Sequence, residues 1–200
     1  MTKERLKSPR ARLFVALDLP QAMVEGIVAW GRRELCDPAL RVVPPESLHI
    51  TLAFLGWTAE KEIGRLEKVV AALRSPTPTI ELGDPVAKPA ARRPRLFALP
   101  VSSAGAVALQ AELEGELVAV GLYEPERRPF WPHVTIARVK SERHGSKRTA
   151  RVERPPGGLP GGLLSPATGV RVTLYRSDLQ PQGARYTPLA QVELSEGGRQ

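Results

Sequence analysis

The chain of 200 residues is 42% hydrophobic, which suits one domain or two small lobes that share a core. No apolar run approaches the ~18 residues of a membrane span, the basic N-terminus lacks the apolar stretch of a signal peptide, and the single cysteine, Cys36, excludes an internal disulfide. We therefore expect a cytoplasmic protein without membrane contact, and a monomer. The net charge of +8 fits a polyanionic partner but identifies none, because a high-GC genome also enriches the arginine that supplies 22 of the 29 basic residues.

Apolar residues at helical spacing predict three helices, over about 21–35, 59–73 and 104–120. Thr58 is the predicted N-cap of the second helix. Short aliphatic runs predict strands near 12–20, 79–82, 86–88 and 95–101, and a closing hairpin of 169–175 with 186–194. The basic, Gly- and Pro-rich segment 141–165 is predicted to be a flexible loop or lid, and residues 1–10 and 196–200 to be tails.

Two of the three histidines open the same pattern of four residues, His-x-Thr-aliphatic, at His49–Leu52 and at His133–Ile136. In a strand, residues i and i+2 point to one face and residues i+1 and i+3 to the other. Each tetrad therefore presents an imidazole and a hydroxyl on one side and buries two aliphatic side chains on the other. Two such strands at one cleft supply two proton-transfer groups and two hydrogen-bond donors, which suits acid–base chemistry on an anion.

The segments that precede the two tetrads repeat as well. Phe14 lies 35 residues before His49, and Phe97 lies 36 residues before His133. Each interval contains one predicted helix, so each half of the chain reads as a strand, a helix, a loop and a tetrad strand. The sequence therefore predicts an internal duplication of a βαβ-type unit, with two lobes related by a pseudo-two-fold axis.

Three segments together carry a resemblance to a known family. They are Val43-Pro44 with Leu48-His-Ile-Thr-Leu-Ala-Phe-Leu-Gly56, Pro132-His-Val-Thr-Ile-Ala-Arg138, and Leu174-Tyr-Arg-Ser-Asp-Leu-Gln-Pro-Gln-Gly-Ala-Arg-Tyr186. The chain resembles the 2H phosphoesterase superfamily and, within it, the bacterial and archaeal RNA 2′,3′-cyclic phosphodiesterases, also called 2′-5′ RNA ligase-like proteins. The resemblance covers roughly residues 12–194.

This resemblance implies an α+β fold of two duplicated lobes, in which two antiparallel sheets and both tetrads face a central cleft. It implies a metal-independent enzyme without a cofactor. The implied partner is RNA with a 2′,3′-cyclic phosphate or 2′-phosphate end, and the implied reaction is hydrolysis of the cyclic phosphate to a 2′-phosphomonoester, with 2′-5′ ligation as its reverse. The family parallel suggests His49 as the acid for the leaving oxygen and His133 as the base for water, roles that ligation would exchange.

The residues support the same chemistry by themselves. Opening a cyclic phosphodiester needs one group that takes a proton from water and one that gives a proton to the leaving oxygen. Histidine, with an ordinary pKa near 6.5, does either at neutral pH, and two histidines beside one phosphate titrate as a coupled pair. The hydroxyls of Thr51 and Thr135 are candidates to donate to the phosphate oxygens. On these grounds alone, which histidine is the acid stays open.

Two residues follow the tetrads at the same offset. Arg138 lies five residues after His133, which is the opposite face in an ideal strand, so a bulge must turn it if it is to bind the substrate phosphate. Phe54 lies five residues after His49, and for it we predict a place in the core.

Aromatic and basic residues near the tetrads give further candidates. Phe130 and Trp131 are possible stacking partners for a nucleic acid base, with core packing as the alternative. Five arginines in the loops before the strands are candidates for a rim that steers phosphate, with ordinary surface as the alternative: Arg41, Arg92, Arg93, Arg127 and Arg128.

Two other hypotheses stay open. One is a related phosphodiesterase that acts on a small cyclic phosphate or on a 2′-5′-linked oligonucleotide. The other is an RNA-binding module in which the tetrads are structural, although a structural strand does not need His and Thr on one face in both halves. A zinc site is the weakest hypothesis, because two histidines without Asp, Glu or Cys at ligand spacing would leave the metal under-coordinated.

Overall fold

The computed structural model describes residues 9–143, 145–146, 148–180 and 183–195. Its strands are β1 (Arg10–Asp18), β2 (Leu40–Val42), β3 (His49–Ala59), β4 (Thr79–Leu82), β5 (Val86–Lys88), β6 (Leu96–Ser102), β7 (His133–Val139), β8 (Ala167–Thr168), β9 (Arg171–Gln180) and β10 (Gly183–Glu193). Its α-helices are α1 (Gln21–Glu34), α2 (Ile63–Ala72) and α3 (Ala104–Ala119), and short 3₁₀ turns cover Pro45–Ser47, Glu60–Glu62 and Gly161–Leu163. No helix in these described ranges is long and apolar enough to cross a membrane.

The predicted tails fall mostly on residues that the structure does not describe. Residues 1–8 and 196–200 lie outside the described residues. Arg10, which we placed in the N-terminal tail, already begins β1 and pairs with Ala59 at the far end of β3. The first strand is therefore longer than its apolar core suggests, because a strand can extend into solvent once a neighbour satisfies its backbone.

The strands form one antiparallel sheet in the order β10-β9-β1-β3-β7-β6-β4-β8, with β2 added to β7 and β5 to β6. β3 and β7 share a single residue pair, Ile50 with Val134, and each is the second residue of its tetrad. A local two-fold relation therefore joins the tetrads at equivalent positions. The α+β class is confirmed. The strands of both halves are linked into one sheet through this pair, and the two-sheet arrangement that the resemblance implies stays a prediction.

The helices pack on one face of this sheet. β1 is buried throughout residues 13–17, but only Leu13, Val15 and Leu17 belong to the hydrophobic core beneath the helices, while the even-numbered side chains lie on the other face. The core-facing helix residues include Met23, Ile27 and Trp30 of α1, Leu66, Val69 and Val70 of α2, and Leu109, Leu113 and Leu117 of α3. The side of the sheet without helices, which we call the open face, is where the His and Thr side chains of the tetrads point.

The helix starts differ from the predictions at one point. Ser103 caps α3, because its hydroxyl accepts a hydrogen bond from the Ala106 N–H at 3.0 Å. Thr58 does not cap α2: it lies in β3, and its hydroxyl donates to the Leu55 carbonyl at 3.2 Å. A 3₁₀ turn, Glu60–Glu62, intervenes before α2 begins, which moves the helix start beyond the reach of Thr58.

β3 and β7 carry the same irregularity directly after the tetrad. In β3, Thr51 pairs with Ala16 and Ala53 pairs with Val15, which leaves one extra residue between them. In β7, the corresponding extra residue is Ile136. A bulge of this kind places two successive residues on the same side of a strand, so the residue that follows faces the other way from its ideal position. The duplication therefore extends to a matched pair of β-bulges.

The segment 141–165 is tied to the rest of the fold at several points. The Asp37 carboxylate accepts backbone hydrogen bonds from Glu153 and Arg154, each at 2.8 Å, and these bonds hold the pKa of Asp37 below its usual range. Trp30 Nε1 donates to the Gly158 carbonyl at 3.0 Å. These contacts were not anticipated from the sequence, because Gly and Pro content says nothing about a distant carboxylate or indole. The flexibility of the segment stays a prediction.

Candidate active site

The open face carries a cleft of about 970 Å³ where the two halves of the sheet meet. Both tetrads line it through His49, Thr51, His133 and Thr135. Its other charged and aromatic lining residues are Arg12, Phe14, Arg41, Glu46, Phe54, Arg138, Arg185 and Tyr186. Four arginines against one glutamate make this a basic cleft, which favours an anionic ligand.

The Ile50–Val134 pair fixes how the tetrads meet. Because β3 and β7 are antiparallel, each histidine lies opposite the threonine of the other tetrad. Ile50 and Val134 themselves are fully buried on the helix side. The four polar side chains predicted for the site are thus brought together on the floor of the cleft.

His49 sits against aromatic side chains of the first half. Its Nε2 is 3.1 Å from Thr51 Oγ1. Its ring stacks on Phe14 with centroids 5.0 Å apart and meets the Tyr186 ring edge-on at 5.5 Å. These rings hold the imidazole in one orientation and keep water from its sides, so the Nε2 edge faces the cleft.

Burial lowers the pKa of His49 to about 4, which makes the imidazole neutral at pH 7 in the protein alone. Two groups oppose this effect: the negative charge of Asp18 and a hydrogen bond to the Ser47 backbone both raise the pKa. His133 and Arg138 lower it further. A phosphate in the cleft would add its negative charge to that of Asp18, so ligand binding is expected to draw a proton onto His49.

His133 is held differently. Its Nδ1 lies 2.7 Å from the Trp131 carbonyl and donates to it, which leaves Nε2 as an acceptor. Its ring stacks on Trp131 at 4.2 Å and 15°, and Lys88 Nζ lies 4.3 Å from the centroid of the same indole. Burial lowers the pKa of His133, and the positive charges of Lys88 and Arg138 lower it further, while the Trp131 carbonyl raises it. This histidine is therefore suited to accept a proton.

Asp18, the cross-strand neighbour of His49, is the centre of a polar cluster that the sequence did not predict. Its carboxylate accepts hydrogen bonds from Arg171 Nε at 2.9 Å, Thr173 Oγ1 at 2.8 Å and Tyr175 OH at 2.9 Å. Burial and the charge of Asp18 raise the pKa of Tyr175 to about 12, so its hydroxyl stays protonated. Tyr175 stacks on Phe14 at 5.2 Å, and Phe14 stacks on His49, so the cluster also positions the His49 imidazole.

The matched bulges decide the places of Phe54 and Arg138. Both side chains line the cleft, although an ideal strand would turn each away from it. The prediction of a core position for Phe54 is wrong: the side chain is 54% exposed. Arg138 is exposed in the cleft too, where a guanidinium can reach a phosphate between the two histidines. The sequence did contain one indication that Phe54 and Arg138 occupy equivalent positions, since each lies five residues after the histidine of its tetrad.

The remaining candidates lie elsewhere. Of the five arginines expected at the rim, Arg41 lines the cleft, and the others occupy exposed loops outside its lining: Arg92, Arg93, Arg127 and Arg128. Phe130 packs against the core and Trp131 stacks on His133, and neither lines the cleft. Their contact with a base stays a prediction. Arg12, Arg185 and Tyr186 join the site from strands far away in sequence, which is why local patterns missed them.

No group of three or more His, Cys, Asp or Glu side chains is placed to hold a metal ion within the described ranges. The imidazoles, threonine hydroxyls and guanidiniums of the cleft bind anions and move protons.

The comparisons with known proteins agree with this geometry. The family model of the 2′-5′ RNA ligase superfamily matches residues 19–162. The RNA 2′,3′-cyclic phosphodiesterase of Escherichia coli (strain K12) is 31% identical over 185 residues, which are 92% of this chain and 97% of the relative. Its namesake from Thermus thermophilus is 30% identical and covers 94% of this chain and 93% of its own.

Solved structures match as well. The crystal structure of E. coli LigT complexed with 3′-AMP superposes with a TM-score of 0.73 at 28% identity, over 94% of this chain and all of that one. TT0787 of Thermus thermophilus matches with a TM-score of 0.75 at 28% identity and the same coverage. With two facing His-x-Thr tetrads in a basic cleft, and with relatives that match along nearly the whole length, the chain belongs to the 2′-5′ RNA ligase superfamily and to its RNA 2′,3′-cyclic phosphodiesterase family.

Proposed function

We propose that this RNA 2′,3′-cyclic phosphodiesterase opens the cyclic phosphate at an RNA 3′ end by metal-independent, two-histidine acid–base catalysis, and that the product is a 2′-phosphomonoester. The observation that carries the proposal is the pairing of the two tetrads at Ile50 and Val134, which gathers two imidazoles and two hydroxyls on one cleft floor. Hydrolysis of this ester needs a base and an acid on opposite sides of phosphorus, and the two tetrads supply one from each half.

In the proposed reaction, His133 Nε2 takes a proton from water while the water oxygen bonds to phosphorus. The bond between phosphorus and the ribose O3′ breaks in line with this attack, and His49 gives its proton to O3′. The charges around the two rings support this assignment. Burial lowers the pKa of His49 to about 4, and Arg138 lowers the pKa of both histidines. The charge of Asp18 raises the pKa of His49 whereas Lys88 lowers that of His133, and a bound phosphate adds to the effect of Asp18. In ligation a 5′-hydroxyl takes the place of water: its oxygen bonds to phosphorus, the bond to O3′ breaks, and His133 and His49 keep these roles. Cleavage of the resulting 2′-5′ linkage by the ribose 3′-hydroxyl is the reverse step, and it exchanges the two roles.

The side chains around the histidines bind the substrate in this proposal. Thr51 and Thr135 donate hydrogen bonds to the non-bridging phosphate oxygens. Arg138 pairs with the same oxygens, because its guanidinium carries five donors in a planar fork. Phe54, exposed beside them, stacks on the terminal base.

The duplication supports the finer description of the fold as two lobes around a cleft. Each half contributes one tetrad, one bulge and one residue that the bulge turns inward. The tetrad strands share one residue pair, and β2 of the first half crosses to β7 through three more, whereas the ladders of β1 with β3 and of β6 with β7 within each half are longer. We further propose that the enzyme acts as a monomer in the cytoplasm, on RNA in preference to small cyclic nucleotides.

The test uses a short RNA that ends in a 2′,3′-cyclic phosphate, incubated with EDTA. The enzymes are the wild type, His49→Ala, His133→Ala and Lys68→Gln, a charge-removing control at an exposed site on α2. We expect the wild type and the control to form a 2′-phosphate, and each histidine variant to lose at least about 10²-fold in kcat. Full activity in either histidine variant contradicts the mechanism. A wild type that leaves RNA ends intact but opens small cyclic nucleotides contradicts the substrate class.

A further inference from the structure

The open face of β3 does not end at Phe54. A second register shift, between Leu13 and Phe14 of β1, leaves another extra residue in β3, after which Trp57 pairs with Arg12. Cross-strand partners in an antiparallel pair point to the same face. Since Arg12 lines the cleft, Trp57 stands on the same side of the sheet, beside the cleft but outside its lining.

Trp57 is 57% exposed, slightly more than Phe54. A tryptophan that belongs to the core is almost fully covered, as Trp30 is here at 2%. An indole left in water forgoes the favourable free energy that its burial would contribute. The position of the side chain therefore calls for an occupant that covers it.

The spacing of the two exposed rings follows the strand away from the histidines. On β1, the partner of Thr51 is Ala16, the partner of Phe54 is Phe14, and the partner of Trp57 is Arg12. Each step of two residues spans about 7 Å. Measured along β1 from Ala16, Phe54 thus lies about 7 Å and Trp57 about 14 Å from the tetrad. The two rings therefore follow one another along the strand, away from the histidines.

The charges beside Trp57 are positive. Arg12 Nη1 lies 3.5 Å from Ser177 Oγ, a weak contact that leaves most of the guanidinium donors free for a ligand. Arg10 donates to the Trp57 backbone carbonyl and so holds a second guanidinium at the same place. Neither arginine forms an ion pair with any carboxylate in the part of the chain that the structure describes.

We propose that Trp57 and Arg12 form a second nucleotide subsite, which binds the RNA strand on the 5′ side of the cyclic end. Trp57 stacks on a base upstream of the terminal one, and Arg12 contacts the phosphate that links them. The inference rests on the proposed function, because it takes the terminal nucleotide to lie between the histidines and Phe54. An aromatic ring beside a guanidinium suits single-stranded nucleic acid, since every base has a stacking face and every link has a phosphate.

The consequence is a preference for chain length over base sequence. A cyclic mononucleotide ends before it reaches Trp57, whereas an oligonucleotide with the same terminal nucleotide crosses it. The experiment compares KM and kcat for adenosine 2′,3′-cyclic phosphate with those for a hexanucleotide that ends in the same group. The enzymes are the wild type, Trp57→Ala, Trp57→Phe, Arg12→Gln and the control Lys68→Gln.

We expect Trp57→Ala to raise the KM of the hexanucleotide by about tenfold, with kcat nearly unchanged, and to change the KM of the mononucleotide less than twofold. Trp57→Phe, which keeps a stacking ring, should restore most of the affinity for the hexanucleotide. Arg12→Gln should reduce the slope of log KM against log salt by about one for the hexanucleotide only. Lys68→Gln should behave as the wild type with both substrates.

Equal KM changes for both substrates in Trp57→Ala, or none for either, overturn the subsite while the wild-type activity leaves the proposed function standing. A wild type that opens neither substrate overturns the proposed function, and the subsite with it. Loss of the hexanucleotide preference in Trp57→Ala but not in Trp57→Phe supports stacking.

Discussion

The two halves of the cleft have the same backbone arrangement but different side chains at equivalent positions. In each, a His-x-Thr tetrad is followed by a bulge that turns the residue at the fifth position after the histidine into the cleft. In the first half that residue is Phe54, and in the second it is Arg138. The duplication thus supplies two equivalent positions, and the sequence fills one with a ring and the other with a charge.

The surroundings of the histidines differ in the same sense. His49 stacks on Phe14 and lies opposite Asp18 on the neighbouring strand. His133 stacks on Trp131, and the ammonium group of Lys88 lies over the ring of that same tryptophan. In the proposed complex, a nearly symmetric framework receives an asymmetric substrate, with a base on the side of Phe54 and a phosphate on the side of Arg138. The difference also separates the proton affinities of two histidines that the sequence alone cannot distinguish.

Among the residues that differ between the two halves, the largest effect is expected at Arg138, since the phosphate charge is the common feature of every substrate in this class. Arg138→Gln removes the guanidinium while keeping an amide of similar shape. We expect kcat on an RNA cyclic phosphate to fall about 10²-fold, and Arg138→Lys to recover only part of the loss, because an ammonium cannot pair with two oxygens at once. Steady-state kinetics at saturating RNA measures this. Unchanged kcat in Arg138→Gln would remove Arg138 from the site.

Asp18→Asn tests whether the carboxylate favours protonated His49. The acid must be protonated in the enzyme–substrate complex, so kcat falls as the pH rises through its pKa. Replacing the negative charge with an amide lowers that pKa, and the alkaline limb of the kcat profile should move about one unit to lower pH, which is a tenfold loss on that limb. Thr173→Val is the matched control: it removes a hydrogen bond to Asp18 but keeps the charge, so stability should fall while the limb stays in place. If both variants shift the limb equally, the effect of Asp18 is structural.

Phe54→Ala should affect binding more than the chemical step. The ring is exposed, so its loss costs little stability, but one face of the terminal base loses its stacking partner. We expect KM to rise about five- to tenfold, with kcat changed less than twofold, and Phe54→Tyr to behave nearly as the wild type. Kinetics with the four cyclic mononucleotides is the measurement. A fall in kcat larger than the rise in KM would contradict a role in base stacking.

The sequence showed the tetrads because their spacing of two residues is a local property of a strand, and the helices because their apolar faces repeat locally. It misplaced Phe54 because a bulge breaks that spacing, and bulges depend on the partner strand. It missed Asp18 because the donors to its carboxylate lie more than 150 residues away, at Arg171, Thr173 and Tyr175. The single sheet depends on one pair, Ile50 with Val134, which neither half specifies alone.

The smallest effect concerns stability, and it separates the two histidines in the absence of substrate. The pKa of His49 is about 4 in the folded protein, against about 6.5 when unfolded. Between these values the unfolded chain binds more protons, so the free energy of unfolding falls as the pH drops from about 6.5 toward 4. His49→Gln lacks this contribution of about 2 kcal/mol at pH 5, and between pH 7.5 and pH 5 its Tm should fall about 4–8 °C less than that of the wild type. Thermal denaturation at the two pH values measures the difference, with His133→Gln alongside. Because the aromatic rings of the first half enclose His49, replacing His49 should weaken the pH dependence of Tm more than replacing His133 does. A larger effect of His133→Gln would mean that the second half buries its histidine more deeply than the first, which would contradict the contrast drawn between the two halves.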